Sequence, residues 1–168
     1  MAEDITIVYS PFNGTGNVPV RRVLKELGFK KVYVVPEQEM PDPKFTTLKY
    51  PNPEDPDAFT LALKLAKEVN ADIVLATDPD ADRVAIAVPS GAEFVKLTGN
   101  ELGCLLMDYI LKARSAQNDI PEGAITVRSI VSSPLADRIA ARYGVTMRAV
   151  LTGFKYIGGE ILELENKG

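Results

Sequence analysis

Three aspartates at alternate positions, Asp78, Asp80 and Asp82, follow directly on the apolar run Ala71-Asp72-Ile73-Val74-Leu75-Ala76. Arg83 and a second apolar run, Val84 to Val88, come immediately after them. The first run has the length and composition of a buried strand, so the acids stand at its carboxyl end. Open α/β sheets place their ligands there. Like charges roughly 5 Å apart repel by about 3 kcal/mol per pair at an effective dielectric of about 20. A tight turn that concentrates them needs compensation, and an all-oxygen ligand set suits Mg2+ best. The competing reading is a solvated turn, because Asp and Pro are common turn formers and Asp side chains bond nearby backbone amides. An EF-hand loop also begins with alternate acids, but it needs glycine at its sixth position and glutamate at its twelfth. Arg83 and Pro89 stand in those places, which excludes it. A guanidinium beside a metal is well suited to clamp a phosphate that the metal also touches.

Histidine is absent from the chain. That removes imidazole ligands and the commonest general acid–base group, and with them Ser-His-Asp and Cys-His chemistry within this chain. Catalysis is left to carboxylates, lysine, arginine and a metal. Cys104 is the single cysteine, so an internal disulfide is excluded and a reducing cytoplasm is the natural home. Its setting, Leu102-Gly103-Cys104-Leu105-Leu106, reads as core packing. A net charge of −4 offers no footprint for nucleic acid or an anionic membrane. No apolar stretch has the length of a membrane span, and the N-terminus has no signal-peptide pattern. The 168 residues, 46% hydrophobic and 25% charged, allow one ordinary globular domain or two small ones.

Strands and helices alternate along the chain. Ile5 to Tyr9 reads as a strand ending in the turn Ser10-Pro11-Phe12-Asn13-Gly14-Thr15-Gly16. Asn17 then caps a helix with the stripe Val20, Val23, Leu24 and Leu27, closed by Gly28. Lys31 to Val35 is the next strand, and the proline-rich connection from Pro36 to Asp55 reads as an irregular surface excursion. Asp55-Pro56 starts a helix whose stripe is Ala58, Leu61, Ala62, Leu65 and Val69. The strand, acidic loop and returning strand follow. This βαβαβ order implies a mostly parallel sheet covered by helices. A second unit begins near Thr98, with a helix capped by Asn100 that turns Leu102, Leu105, Leu106, Tyr109 and Ile110 inward. A polar connection from Ser115 to Gly123 leads to a strand over 124–131, a helix over 134–143, a strand over 145–151 and a last helix opened by Thr152-Gly153. Two strands rarely make a stable sheet alone, so this unit reads as incomplete, with a further segment or chain completing it. The fold expected is α/β, in two small three-layer units with mostly parallel sheets, over 1–97 and 98–168.

The acidic loop Asp78-Pro79-Asp80-Ala81-Asp82-Arg83 resembles the D-x-D-x-D-R Mg2+ loop of the α-D-phosphohexomutases, the phosphoglucomutase and phosphomannomutase superfamily. The run from Phe45 to Glu54 is similar to the stretch before that family's second-domain helix, and Leu97 to Gly103 to its junction into the third domain. Leu151-Thr152-Gly153-Phe154-Lys155 resembles its TGxK segment near the sugar-recognition region. These four motifs stand in the family's order, and the resemblance covers nearly the whole chain. The wording leans towards phosphoglucomutases. The family has four domains, and the chain resembles its second and part of its third. A TASHNP-type phosphoserine loop and a GEESG-type sugar-binding loop are not in the sequence. Asn13 stands where a histidine is common in the family's TPxHGTG-type turn, and no role is carried over to it.

The resemblance implies reversible phosphoryl transfer between O1 and O6 of a hexose phosphate, through a phosphoserine and a bisphosphate intermediate. Asp78, Asp80 and Asp82 would hold Mg2+, and Arg83 would contact the same phosphoryl group. Thr152 and Gly153 at a helix start, with Lys155 in its first turn, would bind substrate phosphate. For Thr152 the plainer reading is an ordinary cap, and for Lys155 a surface lysine. The partners implied are glucose or mannose phosphates, their bisphosphate, and the missing domains of the same protein, with no nucleic acid or membrane. Two other readings stay open. A haloacid-dehalogenase-like phosphatase would use Asp78 as nucleophile and Asp80 as proton donor, but no later acidic pair for its metal is found. A non-catalytic metal- or phosphosugar-binding module is the other.

Overall fold

Strand β1 (Thr6–Ser10) is the axis of the first half of the chain, with Ile7, Val8, Tyr9 and Ser10 all at most 2% exposed. Burial on both faces is what its unbroken apolar run requires. The structure, a computed structural model, describes residues 2–167 and divides into two units, one ending at Gly99 and the other starting at Asn100.

In the first unit, α1 (Asn17–Glu26) leads from β1 to β2 (Lys31–Val34), which pairs parallel to β1. The connector carries α2 (Pro36–Glu39), then a 3-10 turn (Pro56–Phe59) continuing into α3 (Thr60–Val69). The chain returns as β3 (Ile73–Thr77), parallel to β1 on its other side. An antiparallel pair follows, β4 (Val84–Ser90) on β3 and β5 (Glu93–Leu97) on β4, so the sheet order is β2-β1-β3-β4-β5. Connections that leave β1 in one direction and return across it in the other, both right-handed, put α1 and α3 on opposite faces. That makes the gap between the carboxyl ends of β1 and β3 a topological switch point. The core lies on the α3 face, where Ala62 and Ala66 pack with Val8, Val74, Ala76, Ala85 and Ala87. Phe12 and Phe59 close it edge to face, with ring centroids 5.9 Å apart.

In the second unit, α4 (Gly99–Ala116) is followed by β6 (Ile125–Ser129), α5 (Leu135–Arg142), β7 (Thr146–Val150) and α6 (Phe154–Lys167). β6 and β7 form a parallel two-stranded sheet. Arg128 on β6 grips Asp137 on α5 through two bonds, Nε to Oδ1 at 2.6 Å and Nη2 to Oδ2 at 2.8 Å. This ties strand to helix and holds the Asp137 carboxyl below its ordinary pKa.

The α/β architecture with mostly parallel pairing is as expected, and several details differ. The connector after Val35 is no surface excursion: it carries one helical turn, and Gln38, Leu48 and Pro53 are buried. Asn17 does not cap α1 but donates its Nδ2 to the Glu39 carbonyl at 2.8 Å. Of the α1 stripe only Leu24 is buried, while Val23 and Leu27 are more than half exposed. Asp55 caps as expected, accepting from the Asp57 N–H at 3.0 Å. β5 was not anticipated. Along α4 the buried residue is Cys104, whereas Leu105, Leu106, Tyr109 and Ile110 are at least 50% exposed. Asn100 lies inside α4 and its Oδ1 accepts from the Ser133 N–H at 2.9 Å. β6 stops at Ser129, and Ile130 and Val131 turn outward.

Candidate metal and phosphate site

The acidic loop leaves β3 as a tight turn. The Ala81 N–H donates to the Asp78 carbonyl at 3.0 Å, with Pro79 as the first central residue, where its fixed φ suits a turn. Ala81 sits at φ +60°, a conformation that costs a residue with a side chain of order 1 kcal/mol. The result is convergence: Asp78, Asp80 and Asp82 each present a carboxylate oxygen, all within 4.8 Å of one another.

Burial separates their roles. Asp78 is fully buried, while Asp80 and Asp82 are exposed. The Arg83 N–H donates to Asp78 Oδ1 at 2.9 Å and the Arg83 Nε to Oδ2 at 2.7 Å. Burial pushes the Asp78 carboxyl up, but the Arg83 backbone and guanidinium bonds outweigh it and hold the group below its ordinary value. Asp82 moves the other way: the Asp80 charge above all, then burial and Asp78, hold it above its ordinary value, although Arg83 Nε is 3.6 Å away. One guanidinium therefore balances the buried acid and leaves the outer pair in excess. Three such carboxylates fit a hard divalent cation.

Contacts from neighbouring segments shape this loop from outside it. The Thr15 N–H and hydroxyl both donate to the Pro79 carbonyl, at 2.8 and 3.1 Å. Gly14 abuts the Pro79 backbone so closely that a Cβ would lie 2.4 Å from its Cα. Tyr9 Oη and Thr77 Oγ1 share a buried hydrogen bond of 2.8 Å. Asn52 Oδ1 accepts from Arg83 Nη1 at 3.2 Å. The turn from Asn13 to Asn17 thus buttresses the acids. Asn13 itself is buried, donating its Nδ2 to the Met40 carbonyl at 2.7 Å and its N–H to the Gln38 carbonyl at 2.9 Å. Sequence reading missed Asn52 and Thr15, whose polar side chains in turns carry no signal for a distant partner. The backbone-contact glycine was the one available hint.

Thr152, Gly153 and Lys155 lie in the second unit, after β7 and at the start of α6, all exposed. Gly153 has φ +128°, which a side chain rarely adopts. Its carbonyl accepts the Tyr156 N–H at 3.0 Å, and the Lys155 ammonium sits 4.9 Å over the Tyr156 ring. The four loop residues Asp78, Asp80, Asp82 and Arg83 are thus brought together in one unit, and these three in the other. Cys104 is buried and free. No helix among the described residues is long and apolar enough to cross a membrane.

Comparison with known proteins gives a consistent result. A family model described as phosphoglucomutase/phosphomannomutase, alpha/beta/alpha domain II, matches residues 2–91, and the model for domain III matches residues 98–166. A protein of Haemophilus influenzae named probable phosphomannomutase is 41% identical over 156 residues, covering 92% of this chain and 31% of the relative. A phosphoglucomutase of Staphylococcus haemolyticus is 37% identical over 164 residues, covering 97% of this chain and 29% of the relative. The chain thus spans about a third of the length of the curated relatives it matches. A crystal structure of a phosphoglucomutase/phosphomannomutase family protein from Burkholderia thailandensis shares the fold, with TM-score 0.74 and 20% identity over 95% of this chain and 32% of that one.

Two outcomes are expected of the loop. Gly14→Ala forces a Cβ into backbone rather than a yielding side chain, so it should cost about 1–3 kcal/mol in urea denaturation. Amide shifts should concentrate at residues 77–83; parent-like stability and spectra would sever the turn from the loop. In a carbon-13 carboxyl titration, Asp82 should take up its proton above the ordinary aspartate range and Asp78 below it. Ionised Asp78 then stabilises the fold above the ordinary value, a contribution lost as pH falls through its depressed folded value. Asp82 opposes this, because its ionisation weakens the fold as pH rises through its raised value. Coincident titrations would contradict the charge imbalance.

Proposed function

The chain belongs to the phosphoglucomutase/phosphomannomutase family, and we propose that it supplies the Mg2+ loop of a phosphohexomutase interconverting hexose 1-phosphate and 6-phosphate. The observation that carries this reading is the triad Asp78, Asp80 and Asp82, with oxygens within 4.8 Å, set beside an arginine at the end of β3. Its donor set is all oxygen, and the raised Asp82 marks negative charge that a divalent cation would relieve. Bound there, Mg2+ would offset charge on the phosphoryl group in flight.

Asp78 anchors the site through Arg83, and Asp80 and Asp82 supply the solvent-side oxygens. Arg83 directs its remaining guanidinium donors to the transferring phosphoryl oxygens. The phosphoserine that donates to the sugar hydroxyl, and takes the other phosphate back from the bisphosphate, comes from a segment of the same protein outside this sequence. In this reading residues 1–97 are the metal-loop domain and 98–168 part of the third domain. There Thr152, Gly153 and Lys155 hold substrate phosphate: exposed backbone, hydroxyl and ammonium at the end of a parallel strand suit an anion. The substrates are glucose or mannose phosphates, and a free buried thiol fits a cytoplasmic protein. The phosphatase alternative loses support. It needs a further acidic group for its metal, and among the described residues the acids that could hold one are Asp78, Asp80 and Asp82 themselves.

Titration calorimetry with Mg2+ tests the metal assignment. Asp80→Ala removes an exposed side chain, so the fold should persist while Mg2+ affinity drops roughly tenfold or more. Unchanged affinity would remove the magnesium reading. The 168-residue chain alone should not convert glucose 1-phosphate, for want of a phosphoserine. Turnover by the purified chain would refute the division of labour between its segments.

A further inference from the structure

The turn before α3 is built around Asn52 and reaches the acidic loop. The Asn52 side-chain oxygen accepts two bonds, one from the Glu54 N–H at 2.9 Å and one from Arg83 Nη1 at 3.2 Å. The Asn52 carbonyl accepts the Asp55 N–H at 2.9 Å, so the turn closes on itself. It is also fastened to the sheet. Lys96 on β5 donates its Nζ to the Pro53 carbonyl at 3.0 Å and to the Glu54 carbonyl, and lies 5.6 Å from the centre of the Phe59 ring. Pro53 and Phe59 are buried. Asn52 is thus held by the core and the edge strand while its oxygen points at Arg83.

An arginine has five donors in a rigid planar fork. A single acceptor at Nε leaves that plane free to swing about the bond; a second acceptor at Nη1, from another segment, fixes it. Asp78 takes Nε and Asn52 takes Nη1. Among the described residues Nη2 is left without an acceptor. For a group that must meet phosphoryl oxygens bidentately, orientation matters as much as charge.

We propose that Asn52 is a positioning residue for Arg83, setting the guanidinium plane, with Lys96 holding Asn52 in place through the carbonyls of residues 53 and 54. The inference rests on the reading of Arg83 as the phosphoryl-contacting group.

The test is nitrogen-15 spectroscopy of arginine side chains in the full 168-residue chain. Asn52→Ser keeps a hydroxyl that can accept the residue-54 N–H, as such turns do, but is a bond too short for the guanidinium. Asn52→Asp keeps both acceptors. Rotation and exchange at the Arg83 Nη groups should become several-fold faster in Asn52→Ser and return to the parent rate in Asn52→Asp. Unchanged Arg83 rates in a folded Asn52→Ser protein overturn the proposal. A comparison within the parent needs no variant: among the described residues Arg22 pairs only through its Nε, with Glu26 at 2.7 Å, so its Nη groups should exchange faster than those of Arg83. Equal rates overturn the proposal even if Asn52→Ser does not fold. Mg2+ titration of the same samples separates the two readings. Faster Arg83 motion in Asn52→Ser without Mg2+ uptake by the parent supports positioning while removing the function. Mg2+ uptake with unmoved Arg83 rates does the reverse.

Discussion

The repulsion among three carboxylates at the end of β3 is the constraint around which the first unit is arranged. At separations within 4.8 Å, the acids would splay the turn unless something else held it closed. Arg83 holds it from within, through its backbone N–H and its Nε on the buried Asp78. The turn after β1 holds it from outside, through Thr15 on the Pro79 carbonyl. The surplus of charge faces solvent, at Asp80 and Asp82. The sheet order supplies the place for this: the chain passes from β1 to β2 on one side and returns across β1 to β3 on the other, which leaves a switch point at the carboxyl ends of β1 and β3.

Much of this was legible because it is local. The cap at Asp55-Pro56 and the strand, loop and strand around Asp78 write their chemistry in consecutive residues, and both appear where the sequence puts them. Periodicity was a weaker guide to burial. It identified α1 and α4 as helices, yet the stripes Val23-Leu27 and Leu105-Ile110 are largely exposed, since a repeat of apolar residues says what a helix offers and not what covers it. β5 escaped because a short edge strand in a hairpin has one face to solvent and no long apolar run. The prolines from Pro36 onward did not keep the connector irregular, since α2 starts at Pro36, and composition could not foresee that Ser10 Oγ would donate to a buried Gln38 at 2.6 Å and draw the connector onto the core.

The same division applies to the site. Asp78, Asp80, Asp82 and Arg83 form a contiguous signal, and the fold brings their side chains together in one turn. Gly14, Thr15, Asn52 and Lys96 act on that loop from other segments, and each looks in sequence like ordinary turn or surface chemistry. Thr152, Gly153 and Lys155 are a third kind: their motif is short, and they stand at an exposed helix start after β7 in the second unit.

Backbone against backbone at Gly14 and Pro79 leaves less room than a methyl group occupies. The two loops are therefore a single moulded piece, cast from segments that the chain visits far apart. A designer wishing to transplant the acidic loop onto another parallel sheet would have to carry its glycine counterpart on the adjacent strand as well. The portable unit is a pair of strand ends, and either half grafted alone would arrive without its mould.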